Sequence, residues 1–423
     1  MQLGIDASRI HRRIHVLAAI GADPTGGITR PFGSEADLVA REALRQEIVA
    51  AGLNYRVDAA GNQWGILPGR DSHTKLLVVG SHLDTVPHGG AYDGAAGVLV
   101  SLEAIQTLHE TGYRNHHPLA VVAFTGEEPN SFGLSTLGSR LYTGRLSAAD
   151  LLEHHSASGE PLQDALVRVG GDLRSCDTLN PSEVAVFIEP HVEQSGRLDD
   201  ANLPIGVVDR ITGIYRDHVT LTGEQNHAGT TRMGDPKDAL DAFADAISLF
   251  ETLLQMPWAD WMVGTIGQVQ VYPNAINIVP SRVDFIVELR STDIEQLHAG
   301  AQRYHQQLTA HMSQRHIALS VDNILDQAPE TLSPAVRNLL VQQVRAHHLT
   351  PLTVASWAGH DATHMARVAP TGMLFIRSIH GKSHCPDEYS RPEDLAVAAD
   401  ILHDTMKHLD QVLEEVAPDV ASL

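Results

Sequence analysis

His82, Asp84 and Asp93 fall inside one short glycine-rich stretch, GSHLDTVPHGGAYDGAAGV. A neutral imidazole two residues ahead of one carboxylate and eleven ahead of another supplies nitrogen and oxygen donors of the kind that hold zinc, manganese or cobalt. Taken alone, the stretch reads as readily as a polar loop with capping aspartates. Farther on, Glu127 and Glu128 are adjacent. Side-by-side carboxylates at a strand end repel and lose hydration unless a cation lies between or beside them. Glu189 and His191 flank Pro190, and His380 and His384 bracket Gly-Lys-Ser, so donors of the same kinds recur along the chain.

Short apolar runs must position these residues. Residues 76–79, 121–124, 184–188 and 373–376 each suit a strand buried on both faces, and each delivers a His or an acidic residue just past its carboxyl end. Such ends are where α/β sheets build sites, because the sheet fixes a loop whose backbone stays free to bend toward a ligand. From Gly94 the small and apolar residues start a helix that runs to Glu110.

The blocks GSHLDTVPHGGAYDGAAGVL, FTGEEPNSFGLSTLGSR, HVEQSGRL, NHAGTTRM, SWAGHDATHMA and GKSHCP, in that order, resemble the successive motifs of the hydantoinase/carbamoylase amidases. That family holds N-carbamoyl-L-amino acid hydrolases, allantoate amidohydrolases and bacterial β-ureidopropionases, within a clan of two-metal exopeptidases and aminoacylases. The resemblance runs from about Gly26 to the C-terminal helix. It implies metal ligation by His82, Asp93, Glu128, His191 and His384, with Asp93 bridging two divalent ions (Zn, Mn, Co or Ni). Ions sharing a carboxylate lie about 3.5–4 Å apart and together polarise a water and a carbonyl. A single structural zinc is the rival, though structural sites favour closed sets rich in cysteine.

The resemblance also implies roles around the metals. Glu127 would carry a proton from the water to the leaving nitrogen; alternatively it only orients a ligand. Asp84 would accept the second N–H of His82 and fix its tautomer. His227, in NHAGTT, matches the residue that reaches across a dimer to a developing oxyanion, whereas a lone loop histidine is otherwise surface decoration. Arg290, in VELRS, matches the residue that grips a substrate carboxylate with its guanidinium fork, against a plain strand-end ion pair. Gln194, Asn277 and Gly359 fall where the family contacts ureido or carboxylate groups. His88, His360, His364, His380 and Cys385 read as solvated or supporting groups. The chain departs from the family at Pro129-Asn130-Ser131-Phe132-Gly133 after Glu128, at Arg232 for proline, at Trp357 for glycine and at His380 for glycine. None of these is an implied ligand; they bear on the substrate side.

The implied activity is hydrolysis of a C–N bond in a small carboxylate-bearing compound, such as an N-carbamoyl-L-amino acid. The rivals are an aminoacylase or dipeptidase of the same clan and a metal-binding scaffold without turnover. The 423 residues allow two or three domains. A net charge of -22 argues against nucleic acid and anionic membrane as partners. Two cysteines, Cys176 and Cys385, suit a reducing cytosol and give no disulfide framework. Neither a signal peptide nor a span of roughly 18 apolar residues is found. The expected fold is α/β: a mixed-sheet di-metal hydrolase domain in two parts, 1–210 and 326–423. Between them 211–325 is expected to form a ferredoxin-like α+β lid through which a homodimer assembles. In that insert the pattern reads strand, helix over 235–254, two strands, helix, strand.

Overall fold

The strand Leu76–His82 is apolar without alternation and is buried at every position, as a strand covered on both faces must be. It pairs in parallel with Leu119–Phe124 on one side and Val184–Val192 on the other, and Val184–Val192 pairs in parallel with Thr371–Ile376. These strands form the middle of a nine-stranded sheet in the computed structural model. The flanks are antiparallel: Gln63–Leu67 runs against Leu119–Phe124 and carries Asn54–Val57, while Ile205–Ile211 runs against Thr371–Ile376 and carries Leu352–Ser356. The sheet is therefore mixed, in an α/β arrangement. Residues 4–24, 26–71, 74–234, 237–256 and 262–416 are described.

Two strands run farther than their apolar residues. His82 closes Leu76–His82, and His191 lies inside Val184–Val192. Gly80 and Ser81, then Glu189 and Pro190, interrupt the hydrophobic runs, yet the ladder to the next strand continues past both. Both imidazoles are thus held by strand backbone and not by a loop beyond it. The strands Ile205–Ile211 and Leu352–Ser356 also go beyond the sequence reading.

Ala95–Glu110 starts at Gly94 and lies buried against the sheet. Its first turn can sit flush because Gly97 has no side chain; a Cβ there would overlap the Pro190 carbonyl oxygen. The helices Ala7–Ala18 and Pro392–Val416 pack on it, and Ile10, Ile14, Leu99, Leu102, Leu402 and Leu409 fill the space between. Ser34 caps Glu35–Ala50, its hydroxyl accepting the Asp37 N–H at 3.1 Å. Residues 135–180 hold the short helices Leu137–Tyr142, Ala148–Leu151 and Leu162–Arg168 around an apolar cluster of their own that includes Phe132, Leu141 and Leu166.

The chain divides into two units, Met1–Asp209 with Thr331–Leu423, and Arg210–Glu330. The second unit has a four-stranded antiparallel sheet in the order Ala318–Gln327, Gly213–Thr222, Arg282–Ser291, Met262–Tyr272. Ala239–Leu254 and Ile294–Gln314 pack on it around Phe243, Phe250, Phe285 and Tyr304. The unit runs a few residues beyond 325 because its last strand continues to Gln327. Asp235 and Pro236, where the sequence starts the first of these helices, lie outside the described residues. No helix among the described residues is long and apolar enough to cross a membrane.

Candidate metal centre

The parallel strands bring His82, Asp93, Glu127, Glu128, His191 and His384 to one end of the sheet. All are buried except His384. The Nδ1 atom of His82 faces the Asp84 carbonyl oxygen at 3.1 Å, and that of His191 faces the Val192 carbonyl oxygen at 2.9 Å. A carbonyl only accepts, so each Nδ1 carries a proton, and in the neutral ring each Nε2 is left with a lone pair. Those two Nε2 atoms are 3.4 Å apart and lie 3.3 and 3.5 Å from Asp93 Oδ1. The centre of a triangle with such sides is about 2 Å from each corner, the length of a zinc–nitrogen bond. Asp93 Oδ1 is buried and has no hydrogen-bond partner among the described residues.

The other oxygen of the same carboxylate turns to a second group. Asp93 Oδ2 is 3.5 Å from His384 Nε2, which is 3.1 Å from Glu128 Oε1. The trios His82–Asp93–His191 and Asp93–Glu128–His384 can each hold a metal ion. An orphaned carboxylate oxygen, converging lone pairs and a shared Asp93 make the donor set fit divalent cations, as the resemblance implies. A third grouping, Glu189, His191 and His360, lies behind. There the protein supplies the partners: Glu189 accepts the Ser81 hydroxyl at 3.1 Å and the Ala362 N–H at 2.7 Å, and His360 meets Ser356 Oγ at 2.7 Å.

The electrostatics show what the donors lack without a cation. Burial, with Glu128, Asp361 and Asp84 nearby, pushes the Glu127 carboxyl well above its usual range, against the pull of His82. Burial alone would lower His82, but Asp93, Glu127 and Asp84 outweigh it and raise the imidazole well above normal. Burial lowers His191. Asp93 and then Glu128 raise His384 to about 10. Glu127, His82 and His384 thus hold protons more tightly than usual, and His191 and Asp93 less.

Asp84 does accept the second N–H of His82, but with its backbone and not its carboxylate. Its backbone carbonyl receives the His82 N–H, and its carboxylate, 3.8 Å from that nitrogen, instead accepts the N–H groups of Glu127 at 3.2 Å and Glu128 at 3.0 Å. Asp84 therefore fixes the turn carrying both glutamates. The reason is chain direction: the carbonyl is already opposite Nδ1, which frees the carboxylate for the neighbouring strand end. Glu127 Oε2 lies 3.8 Å from His82 Nε2, at the rim of the first trio. Gln194, in left-handed backbone, donates its amide to Asp93 Oδ2 at 2.7 Å. Gly359 is half-buried beside His360, whose ring packs edge-on against His191.

The remaining sequence-derived candidates lie in the Arg210–Glu330 unit. His227 is exposed and pairs in register with Ile278, and the Ala228 N–H donates to the Asn277 carbonyl at 3.0 Å, so His227 and Asn277 share one exposed ribbon. Arg290 donates to Glu288 on its own strand at 2.7 Å. Asp361 and Glu388 were not singled out from sequence, and Glu189 stood there only as one donor among several beside His191. Asp361 is fully buried and accepts the Ser139 hydroxyl at 2.5 Å. Only Glu388 carried a signal, its place four residues after His384.

The profile of peptidase family M20/M25/M40 matches residues 78–408. The N-carbamoyl-L-amino acid amidohydrolase of Geobacillus stearothermophilus is 34 % identical over 409 residues, 96 % of this chain and 99 % of that one. The allantoate amidohydrolase of Escherichia coli K12 is 34 % identical over 381 residues, 90 % and 92 % of the respective chains. The crystal structure of a hydantoinase/carbamoylase family amidase from Burkholderia vietnamiensis superposes with a TM-score of 0.87 at 30 % identity, covering 98 % of each chain. With its donors gathered at one sheet end and these relatives along nearly its full length, the chain belongs to peptidase family M20/M25/M40, among the metal-dependent amidohydrolases.

Proposed function

We propose that this amidohydrolase binds two divalent cations, one at His82, His191 and Asp93 and one at Asp93, Glu128 and His384, and hydrolyses the ureido bond of an N-carbamoyl-L-amino acid or a related ureido acid. The observation that carries the reading is the Asp93 carboxylate, with one oxygen toward each trio. Zn, Mn, Co and Ni all suit such imidazole and carboxylate donors. Bound cations lower the pKa of water and polarise a carbonyl oxygen. Glu127 takes the proton of the attacking water and delivers it to the departing nitrogen, its raised proton affinity suiting both halves of the task. With an N-carbamoyl amino acid and one water, the products are the amino acid, ammonia and carbon dioxide.

Carboxylate recognition falls to Arg290, and contacts to the ureido group to Gln194, Asn277 and Gly359, with His227 donating to the oxyanion. In this reading Arg210–Glu330 is the lid and the dimerisation domain, and His227 and Asn277 serve the active site of a second copy; their common exposed ribbon supports it. The enzyme works on a small molecule in the cytoplasm, without nucleic acid or membrane, in keeping with its net charge of -22. Trp357, with the Arg197 guanidinium 5.9 Å from its ring, shifts preference away from the commonest N-carbamoyl amino acids. Trp357→Gly then reorders kcat/KM across carbamoyl, acyl and ureido substrates, and an unchanged ranking removes that role.

The deciding experiment screens metal-reconstituted protein for ammonia release from N-carbamoyl-L-amino acids, N-carbamoyl-β-alanine and allantoate. Release of a carboxylic acid from N-acyl substrates instead would make the chain an aminoacylase or dipeptidase. Glu127→Gln lowers turnover by roughly 10²–10⁴-fold with metal content kept. Unchanged turnover would remove Glu127 from the reaction.

A further inference from the structure

The donors of the second trio sit on loops, and one buried side chain ties two of those loops together. Glu388 is 4 % exposed. Its Oε1 accepts the backbone N–H of Tyr92 at 2.7 Å and of Asp93 at 2.8 Å, and its Oε2 lies 2.7 Å from Ser383 Oγ. The same hydroxyl is 2.9 Å from Asp93 Oδ2. Ser383 has one proton to give, so its hydroxyl links two carboxylates by donating to one at a time.

The surroundings are shaped for this contact. A Cβ at Gly90 would overlap the Glu388 side chain, so the glycine leaves the space that Glu388 fills. The Tyr389 ring meets Tyr92 edge-on at 5.7 Å, and the Tyr389 carbonyl accepts the Ile379 N–H at 2.9 Å, closing the loop that carries His384. His82 and His191 need no such clasp because they are strand residues. The His384 side chain is 46 % exposed and its backbone is left-handed, φ 55°, so its place depends on the loop.

We infer that Glu388 is a positioning residue that fastens the His384 loop to the Asp93 loop, and so sets the affinity of the Asp93–Glu128–His384 position more than that of the His82–His191–Asp93 position, two of whose three donors are strand residues. The inference rests on the two-cation reading above. Removing the Glu388 carboxylate leaves the Tyr92 and Asp93 N–H groups buried without an acceptor and the Ser383 loop untied. Gln at this position keeps an oxygen for both N–H groups, and its NH2 donates to Ser383, whose proton then goes to Asp93.

The test is calorimetric titration of the chelated full chain with Mn²⁺, comparing wild type, Glu388→Ala, Glu388→Gln and Ser383→Ala. Wild type takes two ions per chain. Glu388→Ala keeps the tighter class at wild-type affinity and weakens the other by roughly 10- to 100-fold; Glu388→Gln recovers most of the loss. Ser383→Ala, which leaves the backbone contacts intact, weakens the same class by less. The kcat/KM of Glu388→Ala falls at limiting Mn²⁺ and recovers at saturating Mn²⁺. Two wild-type affinities in both alanine variants overturn the role. So does parallel loss of both ions in Glu388→Ala while Ser383→Ala binds as wild type. A wild-type chain that binds no Mn²⁺, Zn²⁺ or Co²⁺ overturns instead the two-cation reading beneath it.

Discussion

Asp93 stands between two sets of donors, and its neighbours are arranged so that neither of its oxygens is spent on a backbone N–H. Among the described residues Oδ1 has no hydrogen-bond partner, and Oδ2 meets the side chains of Gln194 and Ser383 besides His384. Histidine and several carboxylates raise and lower one another in this small space, with Asp93 held well below its usual pKa by His191, His384 and His82 despite its burial. An amide at this position keeps the shape but not the charge that a shared ligand needs. On the proposed two-cation reading, Asp93→Asn should lower bound metal from two ions per chain to at most one and turnover on the order of a thousandfold, since metal-held charge supplies several kcal/mol of transition-state stabilisation. Elemental analysis of reloaded protein checks the first part and ammonia release the second. Retention of two tightly bound ions by this variant would remove the bridge.

At the scale of elements, the site depends on how closely Ala95–Glu110 approaches the parallel strands. A Cβ at Gly97 would overlap the Pro190 carbonyl and Ser81, each one residue from a candidate metal-binding histidine, and Gly94 at φ 60° lies against the His82 ring. Gly97→Ala forces the helix away from the sheet, costs about 1–3 kcal/mol of stability as overpacking does, and lowers metal affinity with it. A thermal melt and a metal titration of that variant test this; a stable protein with unaltered affinity would show that the approach is not what sets the ligands. The apolar runs were enough to name the parallel strands, because burial on both faces leaves unbroken hydrophobic stretches. They were not enough to show where His82 and His191 sit, since polar residues continue a strand whenever its neighbours supply the ladder. Ile205–Ile211 escaped notice because Asp209 and Arg210 break its pattern at a domain boundary, and Leu352–Ser356 because Thr353 and Ser356 leave it no unbroken apolar run. Asp361 and Glu388 lie in irregular segments, where spacing carries no period to read and only the folded chain shows what they touch.

For the whole molecule, the buried acids make stability depend on pH and on metal together. Burial raises Glu189 to about 8, Asp361 to about 7, Glu388 to about 7 and Asp84 to about 6. Carboxyls in the unfolded chain titrate near about 4, so between there and about pH 8 the folded metal-free chain binds more protons than the unfolded one. Its stability therefore falls as pH rises through that window. His384, raised to about 10, acts in the same direction above its unfolded value, and His191, lowered by burial, acts against it. The chelated protein should lose roughly 5 °C or more in Tm between pH 5 and pH 8, and saturating Mn²⁺ or Zn²⁺ should restore it. A flat or rising Tm would refute the assignment of a proton-hungry cluster. The insertion of Arg210–Glu330 into the larger unit has a further consequence in time. A ribosome making this chain releases His82, Asp93 and His191 long before His384, with the whole inserted unit still to be translated between them. The residues of the first trio are thus all synthesised before the inserted unit, while Glu128 waits for His384, which emerges near the end of synthesis.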